Sequence, residues 1–223
     1  MRQRHICVTL YSTLAHYILL MAGLFIVLEG IDGSGKDTHL KFIAKELREL
    51  GHTVVETAEP SGGRVGTFLK RYANWNEERL PAESEALLYA SDRFDHVKNV
   101  IRPALRRDQI VISARYYYSS MAYQGAVGVD LDWIREMNRF ALKPDLAVLL
   151  DILPEYSLHR LKRRRSIYED SDYLRKVRDI YIKLVNEGEL VKVDADRPKR
   201  VVQGELLSMI QELVERRNAK SGP

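Results

Sequence analysis

Cysteine is nearly absent from this sequence of 223 residues, since Cys7 is the only one. One thiol cannot form an internal disulfide or a metal site built from cysteines. The sequence also lacks internal repeats, low-complexity blocks and linkers rich in glycine, proline and serine. We therefore expect one globular domain in a reducing compartment, and the cytoplasm is the compartment that this composition favours.

A large excess of charge of one sign is also missing. Lysine and arginine number 35 against 31 aspartate and glutamate residues, which gives a formal net charge of +4. A dedicated nucleic-acid-binding protein carries a dense basic face, so this small surplus argues against nucleic acid as a partner. Local basic runs are still able to bind a smaller anionic substrate.

Charged residues are absent between Ile6 and Leu28, and hydropathy alone would identify a membrane span or a signal peptide there. However, Leu24–Leu28 is also the best strand candidate and leads directly into a glycine-rich loop. Without that strand, about fifteen apolar residues remain, fewer than a spanning helix needs. We predict an artefactual or disordered extension over residues 1–20, with Met21 as a natural start and no membrane segment. A docking tail and a targeting signal are the alternatives.

Short apolar runs alternate with segments of helical length along the rest of the chain. This alternation predicts a three-layer α/β/α fold, with helices on both faces of a five-stranded parallel sheet. Helices are expected from Lys36 to Gly51, from Ala82 to Arg107 with a disturbance at Pro103, and from Pro198 to about Arg217. One domain spans 21–217, and 218–223 form a frayed tail. The predicted strands are Leu24–Glu29, Thr53–Thr57, Ile110–Ser113, Leu146–Asp151 and Leu190–Val193.

A phosphate-binding loop is the strongest single motif. Gly30-Ile31-Asp32-Gly33-Ser34-Gly35-Lys36 follows the first predicted strand, precedes a helix and matches G-x-x-x-x-G-K. Its small residues allow backbone N–H groups to surround phosphate oxygens, and the helix N-terminus and Lys36 add positive charge. The alternative is an ordinary surface turn, but the strand, the glycines, the lysine and the helix all agree. The motif has Ser or Thr directly after the lysine, whereas this chain has Asp37 and then Thr38.

Several further motifs resemble those of the thymidylate kinase family of P-loop nucleoside-monophosphate kinases, from about Ala22 to the C-terminal helix. The loop has an acidic residue, Asp32, as in that family, and the second strand leads into Glu59-Pro60. Leu87-Leu88-Tyr89-Ala90-Ser91-Asp92-Arg93 is similar to the family's L-L-[FY]-A-A-[DN]-R helix. Arg115-Tyr116 and Ser119-Ser120-Met121-Ala122-Tyr123-Gln124-Gly125 are similar to its bacterial and archaeal D-R-Y and S-S-x-A-Y-Q-G motifs.

The resemblance implies an enzyme that uses ATP and Mg²⁺ to phosphorylate dTMP to dTDP, and that forms a homodimer. It assigns Lys36 and the loop amides to ATP, and Arg115 to the acceptor phosphate. Tyr89 would stack on thymine, Arg93 would contact its edge, Asp32 would accept from the 3′-hydroxyl, and Tyr123 would crowd the 2′ position. The remaining substrate-binding candidates are Glu59, Ser119, Ser120 and Gln124.

Two of these assignments have ordinary alternatives. Tyr89 is also compatible with core packing, and Arg93 with a surface ion pair to Asp92 or Asp95. His96 is predicted to be a helix residue without a role. The three tyrosines at 116–118 are predicted to pack rather than to take part in chemistry.

A basic run, residues 159–165, follows the fourth predicted strand. Three interpretations are open: a solvated helix end, a nucleic-acid patch, or a lid over the ATP phosphates. The family resemblance favours a lid over about 159–170. It implies that Arg160 and Arg164 supply charge to the transition state, because Gly33 stands where another subtype of the family has an arginine.

Three positions depart from the family pattern. Ala114 replaces the acid of D-R-Y, Ala58 replaces an arginine before Glu59, and Asp37 replaces the loop hydroxyl. We predict that Asp37 binds Mg²⁺ instead, since hard oxygen ligands suit this ion. Arg64, Lys70 or Arg71 would have to replace the missing arginine. The departures leave two alternatives open, a catalytically impaired nucleotide-binding or regulatory protein and a kinase for another nucleotide.

Overall fold

A single parallel sheet organises the structure. The computed structural model describes residues 23–73, 79–160 and 171–220. In this part of the chain five strands pair in the order β2-β3-β1-β4-β5, which confirms the predicted parallel sheet. Each predicted strand end lies within one residue of the observed end. The strands are β1 (Phe25–Glu29), β2 (Val54–Ala58), β3 (Ile110–Ala114), β4 (Leu146–Asp151) and β5 (Val191–Asp194).

Helices connect the strands and flank the sheet. A π-helical turn, Val97–Ile101, joins α3 to α4. The described helices are α1 (Lys36–Glu49), α2 (Arg64–Tyr72), α3 (Ala82–His96), α4 (Arg102–Arg106), α5 (Tyr117–Gly125), α6 (Leu131–Met137), α7 (Pro154–Arg160), α8 (Ser171–Asn186) and α9 (Lys199–Lys220). None of them is long and apolar enough to cross a membrane.

Burial explains why the three inner strands are continuous apolar runs. Every residue of β1 and β3 is buried, and β4 is buried from Ala147 to Asp151. A parallel strand with layers on both sides has no face in contact with water, so it needs apolar side chains at successive positions. The edge strands β2 and β5 each have one buried residue, Val54 and Val193, and their other residues are half-buried or exposed.

The predicted disturbance of the long helix is confirmed, whereas the predicted end of the last helix needs correction. The helix predicted from Ala82 to Arg107 widens into a π turn before Pro103, where the N–H of Arg102 donates to the carbonyl of Val97. Proline has no N–H to continue the α-helical pattern, and the wider turn accommodates it. The last helix continues to Lys220 because no glycine or proline interrupts it after Arg217, so residues 218–220 are helix rather than frayed tail.

The topology brings three loops to one edge of the sheet. The phosphate loop follows β1, Arg115 follows β3 and Glu59 follows β2, and these strands are neighbours in the order β2-β3-β1. The carboxyl edge of a parallel sheet is where such folds bind ligands. The predicted N-terminal extension, residues 161–170 of the predicted lid, and the chain end after Lys220 lie outside the described residues.

Candidate active site

The phosphate loop is folded around the ammonium group of Lys36. Lys36 Nζ donates to the carbonyl oxygens of Gly30 at 2.7 Å and Ile31 at 2.9 Å, and it lies 3.9 Å from the Asp32 carboxylate. Burial, followed by the smaller effect of the nearby Arg115 charge, lowers the pKa of Lys36 to about 8. The loop therefore holds a buried amine whose charge depends on its neighbours.

Gly33 lies directly against the helix that follows β4. Its φ of +82° is in the region that favours glycine, and a Cβ at this position would overlap the carbonyl oxygen of Ser157 in α7. A side chain here requires movement of the backbone of α7. An arginine in the loop, as in the other subtype of the family, is therefore incompatible with this packing.

A large cavity opens beside the loop. It has a volume of about 750 Å³. Asp37 and Thr38, at the start of α1, are exposed and line one side of it, and the basic residues Arg160, Arg197 and Lys199 line another. We call it the donor cavity. An elongated polyanion that reaches from the loop toward this basic side would match the charge of its walls.

A second cavity, of about 330 Å³, adjoins the first, and we call it the acceptor cavity. All nine residues predicted to bind substrate line it, although they come from the phosphate loop, the end of β2, α3 and the segment after β3. They are Asp32, Glu59, Tyr89, Arg93, Arg115, Ser119, Ser120, Tyr123 and Gln124. The sequence motifs thus converge on one concave site, whose roles in binding stay predictions.

Arg115 stands between the two cavities and lines both. Its backbone has a φ of 70°, a left-handed conformation that is uncommon for a residue with a side chain. The guanidinium contacts the Asp32 carboxylate, and it donates to Ser119 Oγ and to the Tyr123 hydroxyl at 3.2 Å each. The positive charge of Arg115 lowers the pKa of Asp32 against the opposing effect of burial. Asp32 therefore stays an acceptor-only carboxylate at neutral pH.

Arg93 lines the acceptor cavity and is held there by residues from three parts of the chain. It donates to Glu59 at 2.9 Å, to Asn138 Oδ1 at 2.7 Å and to Ser120 Oγ at 3.1 Å, and only 1% of its surface is exposed. The alternative of a surface ion pair with Asp92 or Asp95 is wrong, because helix α3 turns this side chain inward.

Tyr89 is half-buried and lines the acceptor cavity, so it is not a residue of the closed core. It lies on α3 four residues before Arg93, and this spacing places both side chains on the same face of the helix. Its position against the cavity is compatible with a stacking role. That role stays a prediction.

Two residues near the site were not identified from the sequence. His96, predicted to have no role, is buried and contacts Thr57 Oγ1 at 2.6 Å and Glu59 Oε1 at 3.2 Å. Its position three residues after Arg93, on the same face of the helix, could have indicated from the sequence that it lies near the site. Glu29 is a fully buried acid at the end of β1, and the neighbouring strand β3 ends at Ala114, which replaces the acid of D-R-Y.

Lys70 is the candidate that faces the site in place of the arginine lost at Ala58. It lines both cavities, whereas the described walls include neither Arg64 nor Arg71. A positive charge is thus retained near the acceptor from α2.

Arg160 lies at the rim of the donor cavity. Its guanidinium donates to the carbonyl of Ala195 at 3.2 Å and to the Asp196 carboxylate at 3.1 Å. It therefore rests on the loop after β5. Arg164, the other predicted lid arginine, lies outside the described residues.

Comparison with known proteins identifies the same family as the motifs. Residues 28–206 match the family model for thymidylate kinase. A "Probable thymidylate kinase" of Staphylothermus marinus is 46% identical over 179 residues, covering 78% of this chain and 88% of that protein. Those of Pyrococcus horikoshii (45% over 171 residues; 74% and 83%) and Thermococcus kodakarensis (38% over 203 residues; 86% and 98%) are also similar. A match over most of the chain, including the residues of both cavities, shows that this chain belongs to the thymidylate kinase family.

Proposed function

We propose that this kinase transfers the γ-phosphoryl group of ATP to the 5′-phosphate of dTMP, with ATP in the donor cavity and dTMP in the acceptor cavity. One observation carries the assignment of the two sites. The cavities adjoin and share Asp32, Lys70 and Arg115 in their walls. Direct transfer needs the two phosphates close together and in line, with positive charge between them.

On the acceptor side, each predicted substrate-binding residue that lines the cavity has a role in binding dTMP. Arg115 pairs with the 5′-phosphate and Lys70 adds a second positive charge. Tyr89 stacks on the thymine ring, Arg93 donates to its edge, and Asp32 accepts from the 3′-hydroxyl. Tyr123 occupies the space that a 2′-hydroxyl would need, and this favours deoxynucleotides. Glu59, Ser119, Ser120 and Gln124 complete the polar wall.

On the donor side, the loop amides and Lys36 hold the β- and γ-phosphates. Lys36 now donates to carbonyl oxygens of its own loop, so a bound triphosphate replaces those contacts. Charged phosphates raise the pKa of this amine and keep it protonated. Arg160 is a candidate for the charge that Gly33 cannot supply.

Mg²⁺ is the ion that the family implies, and the residues present are compatible with it. In the described residues, no three acidic, histidine or cysteine side chains are placed together so that they could hold a metal ion, but Mg²⁺ bound to a nucleotide needs few protein ligands. The Asp37 carboxylate and the Thr38 hydroxyl line the donor cavity as hard oxygen donors. The ion would neutralise charge on the phosphate oxygens.

The transfer itself needs no covalent intermediate on the protein. An oxygen of the acceptor phosphate forms a bond to the γ-phosphorus, the bond from that phosphorus to the β–γ bridging oxygen breaks, and ADP leaves with the electron pair. Arg115 and Lys36 stabilise the charge that develops on either side.

Steady-state ADP formation by the full chain tests the proposal. ATP and Mg²⁺ are supplied with dTMP, dUMP, dCMP, dGMP, AMP, UMP or thymidine in separate reactions. We expect turnover mainly with dTMP. Preferred turnover of another acceptor would make the chain a kinase for a different nucleotide, and ATP binding without turnover would make it a nucleotide-binding protein.

The metal assignment is tested with Asp37→Ala. We expect the Mg²⁺ concentration for half-maximal activity to rise several-fold, while Asp132→Ala, an exposed aspartate of α6, leaves it unchanged. An unaltered metal dependence in Asp37→Ala would remove Asp37 from the metal site.

We also propose a homodimer and a cytoplasmic location. The homodimer follows from the family resemblance, and the location follows from a composition with a single cysteine, which favours a reducing compartment.

A further inference from the structure

The buried carboxylate of Glu29 lies beneath the site and is not part of the proposed chemistry. It accepts three hydrogen bonds: from the backbone N–H of Tyr116 at 2.7 Å, from Ser119 Oγ at 2.6 Å and from the Tyr181 hydroxyl at 2.8 Å. The residue has no exposed surface. Burial raises the pKa of Glu29, and all three donors oppose this effect because they stabilise the ionised form.

The direction of these hydrogen bonds links Glu29 to Arg115. Ser119 has one hydroxyl proton, and Glu29 accepts it, so the lone pairs of Ser119 Oγ face the other way. Arg115 Nη1 donates to that same oxygen at 3.2 Å. The result is one chain of donors that runs from Arg115 through Ser119 to Glu29.

Glu29 also acts on the backbone of Arg115. It fixes the N–H of Tyr116, the next residue, while the N–H of Arg115 donates to the carbonyl of Leu28 at 2.9 Å. Two residues at the end of β1 therefore hold both sides of the left-handed turn at Arg115. A conformation that is costly for an arginine needs such external contacts to persist.

Helix α8 contacts the hydrogen bonds between Glu29 and Ser119 through Tyr181. It is fully buried in α8, and its hydroxyl lies 2.8 Å from Glu29 Oε2 and 3.1 Å from Ser119 Oγ. Another tyrosine of the same helix, Tyr173, donates to the carbonyl of Tyr123 at 2.8 Å. Helix α8 thus contacts the wall of the acceptor cavity at two points, although neither tyrosine lines the cavity.

We propose that Glu29 and Tyr181 are positioning residues that hold the Arg115 guanidinium for the acceptor phosphate, an inference that rests on the function proposed above. They act only through Arg115 and Ser119. Their loss should weaken binding of the phosphate of dTMP and leave the contacts to its nucleoside intact.

The test compares dTMP with thymidine, which lacks the phosphate. Calorimetry gives the Kd of each ligand for the wild type, Glu29→Gln, Tyr181→Phe and the control Tyr118→Phe. The control removes the hydroxyl of another buried tyrosine that does not bond to Glu29. For Tyr181→Phe we expect the Kd of dTMP to rise about 3- to 10-fold, the effect of one hydrogen bond, with thymidine unchanged within about twofold.

A second comparison separates positioning from general damage. In an Arg115→Lys background, Tyr181→Phe should change the Kd of dTMP by less than about twofold, because the group through which it acts is gone. Tyr181→Phe also keeps the inference testable if Glu29→Gln fails to fold.

Two results would overturn the inference. In the first, Tyr181→Phe alters dTMP binding no more than Tyr118→Phe does; in the second, it weakens the binding of dTMP and thymidine equally. Both results leave the proposed function in place if the wild type binds and phosphorylates dTMP. A wild type that does not bind dTMP would instead contradict the proposed function, and the inference with it.

Discussion

At the scale of single residues, packing against α7 determines which residue the phosphate loop accepts at Gly33. Gly33 and Gly51 share a positive φ, at +82° and +91°, but only Gly33 lies against another part of the backbone. The space around Gly51 is open. An alanine at position 51 would therefore have only the strain of a left-handed backbone, whereas an alanine at position 33 would also overlap another residue.

We expect Gly33→Ala to lower kcat/KM for ATP at least about tenfold, because the loop must move away from Ser157 and its amides lose their arrangement around the phosphates. Gly51→Ala should cost about 1 kcal/mol of unfolding free energy, the strain of a left-handed alanine, with normal activity. Steady-state kinetics and urea unfolding of both variants measure this. Equal activity of the two variants would contradict the packing argument.

The buried amine of Lys36 predicts a pH dependence of ATP binding. Its pKa is lowered from 10.5 to about 8 in the free protein, mainly by burial, and the phosphates must bind the protonated form. Affinity should thus fall above pH 8, approaching about tenfold per pH unit. The unfolding free energy should rise between pH 8 and 10.5, because there the unfolded chain binds more protons than the folded one.

Calorimetric titration with ATP at pH 7, 8 and 9 checks the first part. Lys36→Met, which has no amine, should bind ATP weakly and lose the decline above pH 8. A decline of the same size in Lys36→Met would assign the titration to a different group.

At the scale of elements, helix α3 contributes Tyr89 and Arg93 to the wall of the acceptor cavity. Glu85, Tyr89, Arg93 and His96 follow each other at spacings of four, four and three residues and share one face. The sequence predicted this helix and its motif, since both are local patterns. It predicted the strands in the same way, because a strand covered on both sides must be an apolar run.

Local sequence patterns did not predict which residues contact that helix. Arg93 pairs with Glu59, 34 residues before it, and with Asn138, 45 residues after it. Asn138 matches no motif, and its side chain meets Arg93 because α6 packs near α3. The network of Glu29, Ser119 and Tyr181 likewise spans 152 residues. Periodicity and spacing do not encode such long-range contacts.

Asn138 tests the link between α6 and α3. It accepts from Arg93 and donates to the carbonyl of Ile134 at 2.8 Å, with 5% of its surface exposed. Asn138→Ala leaves a buried guanidinium N–H without its acceptor, which should cost about 1–3 kcal/mol of stability. We expect the KM for dTMP to rise several-fold, with a smaller change in kcat, because Arg93 is assigned to the base.

Asn99→Ala is the matched control. Asn99 makes an exposed hydrogen bond to Asp95, so its loss should change stability by less than about 0.5 kcal/mol and leave the KM unaffected. Steady-state kinetics and thermal unfolding report both quantities. An unchanged KM in Asn138→Ala would mean that Arg93 needs no support from α6.

At the scale of the whole molecule, the two faces of α3 have different surroundings. Its inner face closes the acceptor cavity, while Leu87 and Phe94 stand seven residues apart on the opposite face, 53% and 36% exposed. Seven residues are nearly two helical turns, so these apolar side chains form one stripe. A homodimer that buries this stripe would hold the helix that carries Tyr89 and Arg93 from behind.

The dimer is tested with Leu87→Glu combined with Phe94→Glu. Each glutamate would have to lose its hydration in a buried interface, so we expect the mass from light scattering to fall from that of a dimer to that of a monomer. Val127→Glu is the control, since Val127 is 56% exposed after α5 and lies off the stripe. A wild type that is monomeric, or a double variant that stays dimeric, would contradict this interface. If dissociation also raises the KM for dTMP, contact between subunits stabilises the acceptor face of α3.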